Sequence, residues 1–147
     1  MIKQTRKNKE EHSTDELMRM IEASPKQFEK QKLNGISDKN FSSYLRDLME
    51  DYHCTAAQLI ARTYLSKTFF YQILSGSRMP GRDTILKTAL ALGLTVDETQ
   101  RLLTLGGRNA LYPKVRRDAA ILCAIRQNRR LDEVNQMLEE LGEPVLS

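Results

Sequence analysis

The sequence has few of the residues around which disulfide frameworks, metal sites and catalytic triads are built. It contains no tryptophan, two cysteines and two histidines in 147 residues. Cys54 and Cys123 stand in no Cys-x-x-Cys motif, so we expect both to be reduced, buried residues of a cytosolic protein. His12 and His53 have neither metal-ligand nor triad spacing, and the sequence has no glycine-rich phosphate loop. We therefore expect a protein without enzymatic activity, cofactor or bound metal.

Long apolar runs are also missing. No stretch approaches about 18 consecutive apolar residues, the length from which a membrane-spanning helix is inferred. The basic segment 1–12 lacks the apolar core of a signal peptide. The sequence thus predicts a cytoplasmic protein without membrane contact. Glycine (7) and proline (4) are few while leucine, alanine, glutamate, lysine and arginine abound, which predicts an all-α fold.

Acidic residues are absent from one long stretch. Between Asp51 and Asp83 the chain has no aspartate or glutamate, although 19 acids are spread over the 147 residues. The same stretch contains four basic residues, namely Arg62, Lys67, Arg78 and Arg82. The formal net charge of the whole chain is +4. A surface formed by this stretch would suit a polyanionic partner, because nothing on it would repel phosphate.

Capping motifs and apolar spacing predict a series of short helices. Four segments match the capping box that begins a helix: Ser13–Glu16, Ser24–Gln27, Thr55–Gln58 and Thr95–Glu98. Apolar residues recurring every three to four positions predict helices over 40–52, 55–63, 66–75, 83–92, 96–105, 115–127 and 131–141. We expect residues 1–39 to form an N-terminal arm, disordered over 1–12 and with one or two short helices over 13–39.

The second half of the chain contains an internal repeat. Residues 82–107 align with 117–142, so that Arg82-Asp83 matches Arg117-Asp118 and each copy ends on a glycine. Each copy is predicted to be a helical hairpin, and one hairpin cannot bury both of its apolar faces alone. We expect the two hairpins to stack, with 108–147 packing on the core. The alternative is a chance likeness of two amphipathic hairpins.

The acid-free stretch places a polar face on a short helix. If 66–75 is helical, Phe70, Ile73 and Leu74 share its apolar side, while Thr68, Tyr71, Gln72 and Ser75 lie opposite. Such donors and acceptors can meet base edges in a DNA groove. Only 64–66 separate this helix from the one before it, which predicts a helix-turn-helix.

Residues 40–98 resemble the Cro/lambda-repressor-type (XRE) helix-turn-helix family. The features that carry the resemblance are Leu59, Ser66, the pair Phe70 and Ile73, the exit loop Ser75–Pro80 (x-G-x-R-x-P) and Ala89–Thr95 (A-x-x-L-G-V-S in the family). The C-terminal part, with LYP at 111–113, is similar to bacterial regulators of this type that have a helical extension. The resemblance implies a five-helix core over 40–107 with a C-terminal hairpin over 108–147. It also implies a DNA-binding transcriptional regulator of bacterial type.

Carried over position by position, the resemblance implies roles for ten residues. Base edges of double-stranded DNA would be contacted by Lys67, Thr68, Tyr71 and Gln72. Phosphates would be contacted by Thr55, Ala56, Ser66, Ser77, Arg78 and Arg82. Members of the family usually bind as homodimers, and we expect the repeat hairpins, especially 115–141, to form the dimer surface. A fragment lacking 108–147 should then be folded but monomeric.

Departures from the family pattern keep a second function open. Ala56 stands where the family often has a phosphate-binding glutamine, and Tyr64 stands in the turn where glycine is common. Ile60 and Leu74 also differ from the usual residues. The chain would then be a protein-interaction module on a helix-turn-helix scaffold that no longer binds DNA. The basic residues between Arg108 and Arg130 are either a second phosphate patch or an ordinary solvated surface.

Overall fold

Residues 40–147 are described by the structure, a computed structural model, and within them the chain forms seven α-helices and no strand. The helices are α1 (Phe41–Asp51), α2 (Ala56–Thr63), α3 (Lys67–Ser75), α4 (Arg82–Leu92), α5 (Val96–Leu105), α6 (Arg116–Arg126) and α7 (Leu131–Glu140). The all-α class is confirmed for this part, and its helix ends lie within one residue of the predicted ends. The predictions for 1–39, including the capping motifs at Ser13 and Ser24, lie outside the described residues.

Local sequence signals explain where these helices begin and end. At the start of α2, the Thr55 hydroxyl accepts a hydrogen bond from the Gln58 N–H at 3.2 Å, and the Gln58 side chain accepts from the Thr55 N–H at 2.9 Å. Thr95 and Glu98 form the same reciprocal pair at the start of α5. Both predicted capping boxes are therefore present. None of the helices over 41–140 has the length and apolarity needed to cross a membrane.

A single apolar core runs through the described helices. Among its members are completely buried side chains: Tyr44, Leu45, Leu48, Leu59, Phe70, Ile85, Leu86, Leu94, Leu102, Leu103, Ile121 and Leu138. At Gly106, a Cβ atom would lie 2.7 Å from Ile85 Cδ1 and 3.2 Å from Phe41 Cδ2. A side chain at this position would therefore force the end of Ile85 to shift at the close approach of α1, α4 and the end of α5.

The hairpins α4–α5 and α6–α7 contact each other reciprocally. Helix α4 packs against α7, and α5 packs against α6. The Arg82 guanidinium donates two hydrogen bonds to Asp118 at 3.0 and 2.8 Å, and Arg117 donates two to Asp83 at 3.1 and 3.0 Å. Each copy's Arg-Asp pair thus binds the other copy's pair. Such reciprocity is the signature of two-fold symmetry, so an approximate two-fold axis relates the hairpins within one chain.

The symmetry extends beyond the aligned segments. Arg82 also donates to the carbonyls of Asn109 and Ala110, and Arg117 donates to those of Pro144 and Val145. Equivalent side-chain amides hold the last residues of each copy against its second helix. The Gln100 amide exchanges two hydrogen bonds with the backbone of Leu111, and the Asn135 amide exchanges two with the backbone of Leu146. The structural repeat therefore covers 82–112 and 117–147, which is longer than the alignment of 82–107 with 117–142 predicted.

One expectation needs correction, and one stays a prediction. The apolar residues of α6 and α7, Ile121, Ala124, Ile125, Leu131, Val134 and Leu138, are buried within the same chain. Residues 41–147 belong to one compact unit, and the expected dimer surface on this hairpin stays a prediction that its outer side would have to carry. Cys123 was expected to be buried but is exposed, whereas Cys54 is buried as expected. On α6 Cys123 follows the half-buried Leu122 and turns away from the apolar stripe.

Candidate nucleic-acid interface

The turn between α2 and α3 holds the two helices in a fixed relation. Tyr64 ends α2 in the left-handed backbone conformation, with φ 61° and ψ 20°, at the position where glycine was expected to be favoured. Ser66 then returns to extended backbone, and its hydroxyl accepts a hydrogen bond from the Phe69 N–H at 3.1 Å. The serine thus caps α3. The three-residue connection predicted from the sequence is present.

Helix α3 buries one side and exposes the other. Phe70 and Ile73 are fully buried, while Phe69 and Leu74 are partly buried against the core. The opposite side carries Lys67, Thr68, Tyr71 and Gln72, which we call the reading face. Its first three residues are exposed and Gln72 is half-buried. No described residue forms an ion pair with Lys67. Because all four side chains lie on the side of α3 that faces away from the core, the structure brings the four predicted base-contacting residues together on one accessible surface.

Hydrogen bonds order the loop that leaves α3. The Gln72 carbonyl accepts from the hydroxyls of Ser75 and Ser77 and from the N–H groups of Ser77 and Arg78. Gly76 provides the left-handed residue that this turn requires, at φ 84°. The Arg78 guanidinium carbon lies 5.1 Å from the centre of the Phe69 ring, a cation–π contact that positions the charge beside the reading face.

Arg46, which was not predicted from the sequence, binds the C-terminal end of α3. Its guanidinium donates to the Leu74 carbonyl at 2.8 Å, near the end of α3 where helical carbonyls lack partners. This contact bridges α1 and α3, which also pack against each other. The sequence contains no signal for it, because Arg46 and Leu74 are far apart along the chain and neither belongs to a motif.

The predicted phosphate-contacting residues divide into two groups. Thr55, Ala56, Ser66, Ser77 and Arg78 lie on α2, α3 or the exit loop, and Ala56 is the half-buried member of this otherwise exposed group. At the start of α2, the Thr55 hydroxyl satisfies only the Gln58 N–H, and the first N–H groups of a helix have no intrahelical partner. Such groups are suited to a phosphate oxygen.

Arg82 does not belong with this group. Its guanidinium is engaged by Asp118 and by two backbone carbonyls, and its side chain is only 26% exposed. Burial of Asp118 opposes its ionisation, but hydrogen bonds from Arg82 and the Tyr112 N–H outweigh burial and hold the pKa of Asp118 below its usual value. Arg82 therefore joins the two hairpins. The sequence signal for this role was the Arg-Asp pair repeated in both copies.

The later basic residues also separate by environment. Arg117 pairs with Asp83, Arg116 lies 4.0 Å from Glu143, and Arg108 donates to the Pro80 carbonyl. Arg126, Arg129 and Arg130, which we call the arginine turn, lie exposed at the connection between α6 and α7. The structure therefore does not gather the run from Arg108 to Arg130 into one patch.

No described group of three or more histidine, cysteine or acidic residues is arranged to hold a metal ion. Searches of protein-family models, of curated proteins and of solved structures found no match to this chain.

Proposed function

We propose that this chain is a sequence-specific DNA-binding transcriptional regulator whose helix α3 enters the major groove. Helices α1–α5 would form a core of the Cro/repressor type, with α2 and α3 as its helix-turn-helix. The observation that carries the proposal is the reading face: four polar side chains on one side of a firmly packed helix, within a stretch that has no carboxylate. Groove binding requires such a surface, because a carboxylate would face phosphate across the groove.

Each residue of the interface has a role that its chemistry allows. Gln72 can pair with adenine through N6 and N7, and Lys67 can reach guanine O6 and N7. Thr68 and Tyr71 add hydroxyl groups and, for Tyr71, an aromatic edge. Arg78 and the start of α2 would contact phosphates on either side of the groove, assisted by the hydroxyls of Ser66 and Ser77.

The proposal includes homodimers on paired half-sites, since two-fold operators are usual for this kind of motif. The dimer would form through a surface other than the apolar face of α6 and α7, which the same chain covers. Light scattering over a range of protein concentrations tests this part. A single mass equal to one chain, both free and bound to DNA, would remove the dimer from the proposal.

Fluorescence anisotropy with duplex DNA tests the DNA-binding function. A preferred sequence is first selected from a random pool, and binding is then measured at several salt concentrations. Gln72→Ala should reduce discrimination between the preferred and a random duplex by about 1–3 kcal/mol, the worth of one bidentate base contact. Arg78→Ala should weaken both duplexes alike and lower the salt slope by about 0.9. Gln136→Ala, an exposed position on α7, is the control and should change neither quantity.

A protein-interaction module is the second candidate function. Three exposed apolar or aromatic side chains, Tyr64 at 74%, Tyr71 at 47% and Met79 at 52%, lie on or beside the helix-turn-helix, and such residues are enriched in protein interfaces. Absence of binding to any duplex at low salt would favour this candidate. Loss of promoter-type binding in Gln72→Ala or Arg78→Ala would exclude it.

A further inference from the structure

The connection between α6 and α7 lies beside the start of α3. The Tyr64 hydroxyl, in the turn that leads into α3, is 3.4 Å from Asp132 Oδ2 in the first turn of α7. Arg129 and Arg130 immediately precede α7. The second hairpin therefore brings positive charge next to the helix-turn-helix, although the two segments are far apart in the sequence.

The end of α4 lies between Arg62 of α2 and the arginine turn. Arg62, on the last turn of α2, donates to the Ala91 carbonyl at 3.2 Å, near the end of α4. Just after α4, Gly93 and Leu94 line a small depression of about 50 Å³, whose other walls are the apolar Ala89, Leu90 and Ile125 and the polar Asn128, Arg129 and Arg130. Gly93 and Asn128 occupy equivalent places in the two copies, and both have left-handed backbone. The depression is concave and bordered by two arginines.

The arginines here differ from those at the other end of the hairpin in what they bind. Among described residues, Arg126, Arg129 and Arg130 form no ion pair; Arg129 donates to the Gln127 side chain at 2.7 Å. The nearby acids have other partners: Asp132 faces Tyr64, and the Glu133 carboxylate accepts from the Arg130 backbone N–H. At the opposite end, by contrast, Arg116 and Arg117 lie against Glu143 and Asp83. Within this hairpin, the guanidinium groups of the arginine turn therefore have no ion-pair partner among the described residues, whereas Arg116 and Arg117 at the opposite end each lie near a carboxylate.

We propose that the arginine turn is a second DNA-backbone site, which holds phosphates next to the groove that α3 enters. This inference rests on the proposed function, since it adds a clamp to the same DNA complex. Guanidinium groups suit phosphate because their planar donors match two of its oxygens. The site carries no base specificity, so it should strengthen binding to every duplex and steepen its salt dependence.

A charge-matched pair of double variants tests the site. Arg129→Gln/Arg130→Gln removes two charges at the arginine turn, and Lys114→Gln/Arg116→Gln removes two at the far end of α6, about 15 Å away along the helix. If both arginines contact phosphate, the first variant should lower the salt slope by about 1.8 and weaken random and preferred duplexes alike, by tenfold or more at about 0.1 M salt. The second variant should have a clearly smaller effect. Arg129→Lys/Arg130→Lys should restore most of the slope, and circular dichroism confirms that each variant is folded.

The outcomes separate the two proposals. If the wild type binds and Arg78→Ala weakens it, but the two Gln double variants behave alike, then the arginine turn is not a backbone site while the proposed function remains. If the double Gln variant is unfolded, the single variants Arg129→Gln and Arg130→Gln decide: a slope lowered by about 0.9 in each supports the site, and a wild-type slope in both overturns it. If the wild type binds no duplex at low salt, both proposals fail.

Discussion

Asp118 offers the sharpest test of how the two hairpins are joined. Its carboxylate accepts two hydrogen bonds from Arg82 and one from the Tyr112 N–H, and its side chain is only 6% exposed. Asp118→Asn keeps the shape but removes the charge. Breaking a fully buried ion pair costs about 3–5 kcal/mol, whereas exposed pairs contribute less than about 1 kcal/mol. Because Arg82 is still 26% exposed, we expect a loss of about 2 kcal/mol in the free energy of unfolding.

The two-fold symmetry supplies the control. Asp83 occupies the equivalent position and pairs with Arg117, but its side chain is 28% exposed. Arg117 is 16% exposed and thus more buried than Arg82, but the Asp83 carboxylate itself is the more hydrated of the two acids. Asp83→Asn should therefore cost less than Asp118→Asn, on the order of 1 kcal/mol. Urea unfolding followed by circular dichroism measures both variants at pH 7. Equal losses, or a loss below about 0.5 kcal/mol for Asp118→Asn, would refute the view that burial makes the Asp118 pair the stronger one.

The same variant has a defined pH dependence. The pKa of Asp118 is lower in the folded chain than in the unfolded chain, where it is about 3.9. Its charge therefore stabilises the fold above that value, and the contribution is lost as the pH falls through the lower folded value. The stability difference between wild type and Asp118→Asn should be full at pH 7 and shrink progressively below about pH 4. A difference that stays constant down to pH 2 would contradict this assignment.

Three further predictions follow from the packing. Gly106→Ala should destabilise the fold by about 1–3 kcal/mol through overpacking against Ile85. Gly81→Ala, with open space around its Cβ position, should cost clearly less, and similar melting temperatures for the two variants would disprove the close approach at Gly106. Tyr52→Phe removes the hydrogen bond that the Tyr52 hydroxyl donates to the buried Glu98 carboxylate, and should cost about 1 kcal/mol in urea unfolding. Deleting 108–147 uncovers the apolar faces of α4 and α5, so the fragment should lose cooperative thermal unfolding rather than remain a stable monomer; a sharp melt near that of the full chain would show that the first five helices fold alone.

Local signals allowed most helices to be predicted. Capping residues such as Thr55 and Thr95 act within three positions, so their hydrogen bonds can be read from spacing alone. The left-handed conformation of Tyr64 was not predicted; the sequence identified the residue only as a departure at a turn position where glycine is common. The faces of α3 followed from helical periodicity, which is why the reading face lies where the sequence predicted it.

Longer-range features escaped prediction for a physical reason. The repeat showed that Arg82-Asp83 and Arg117-Asp118 are equivalent, but equivalence does not reveal whether the copies meet by translation or by rotation. A rotation pairs Arg82 with Asp118, so the Arg82 guanidinium is engaged within the chain and the apolar sides of α6 and α7 are covered. Cys123 was missed because a small residue beside an apolar stripe fits equally well on either side of its edge.

Nuclear magnetic resonance titration with duplex DNA tests the central claim most directly. On addition of a duplex at low salt, the backbone amides of α3 and its exit loop, from Lys67 to Arg78, should shift most, together with those at the start of α2. The amides of Leu111 and Leu146, which close the two hairpins internally, should not move. Shifts centred elsewhere on the chain, or no shifts at any DNA concentration, would contradict the assignment of α3 as the groove-reading helix.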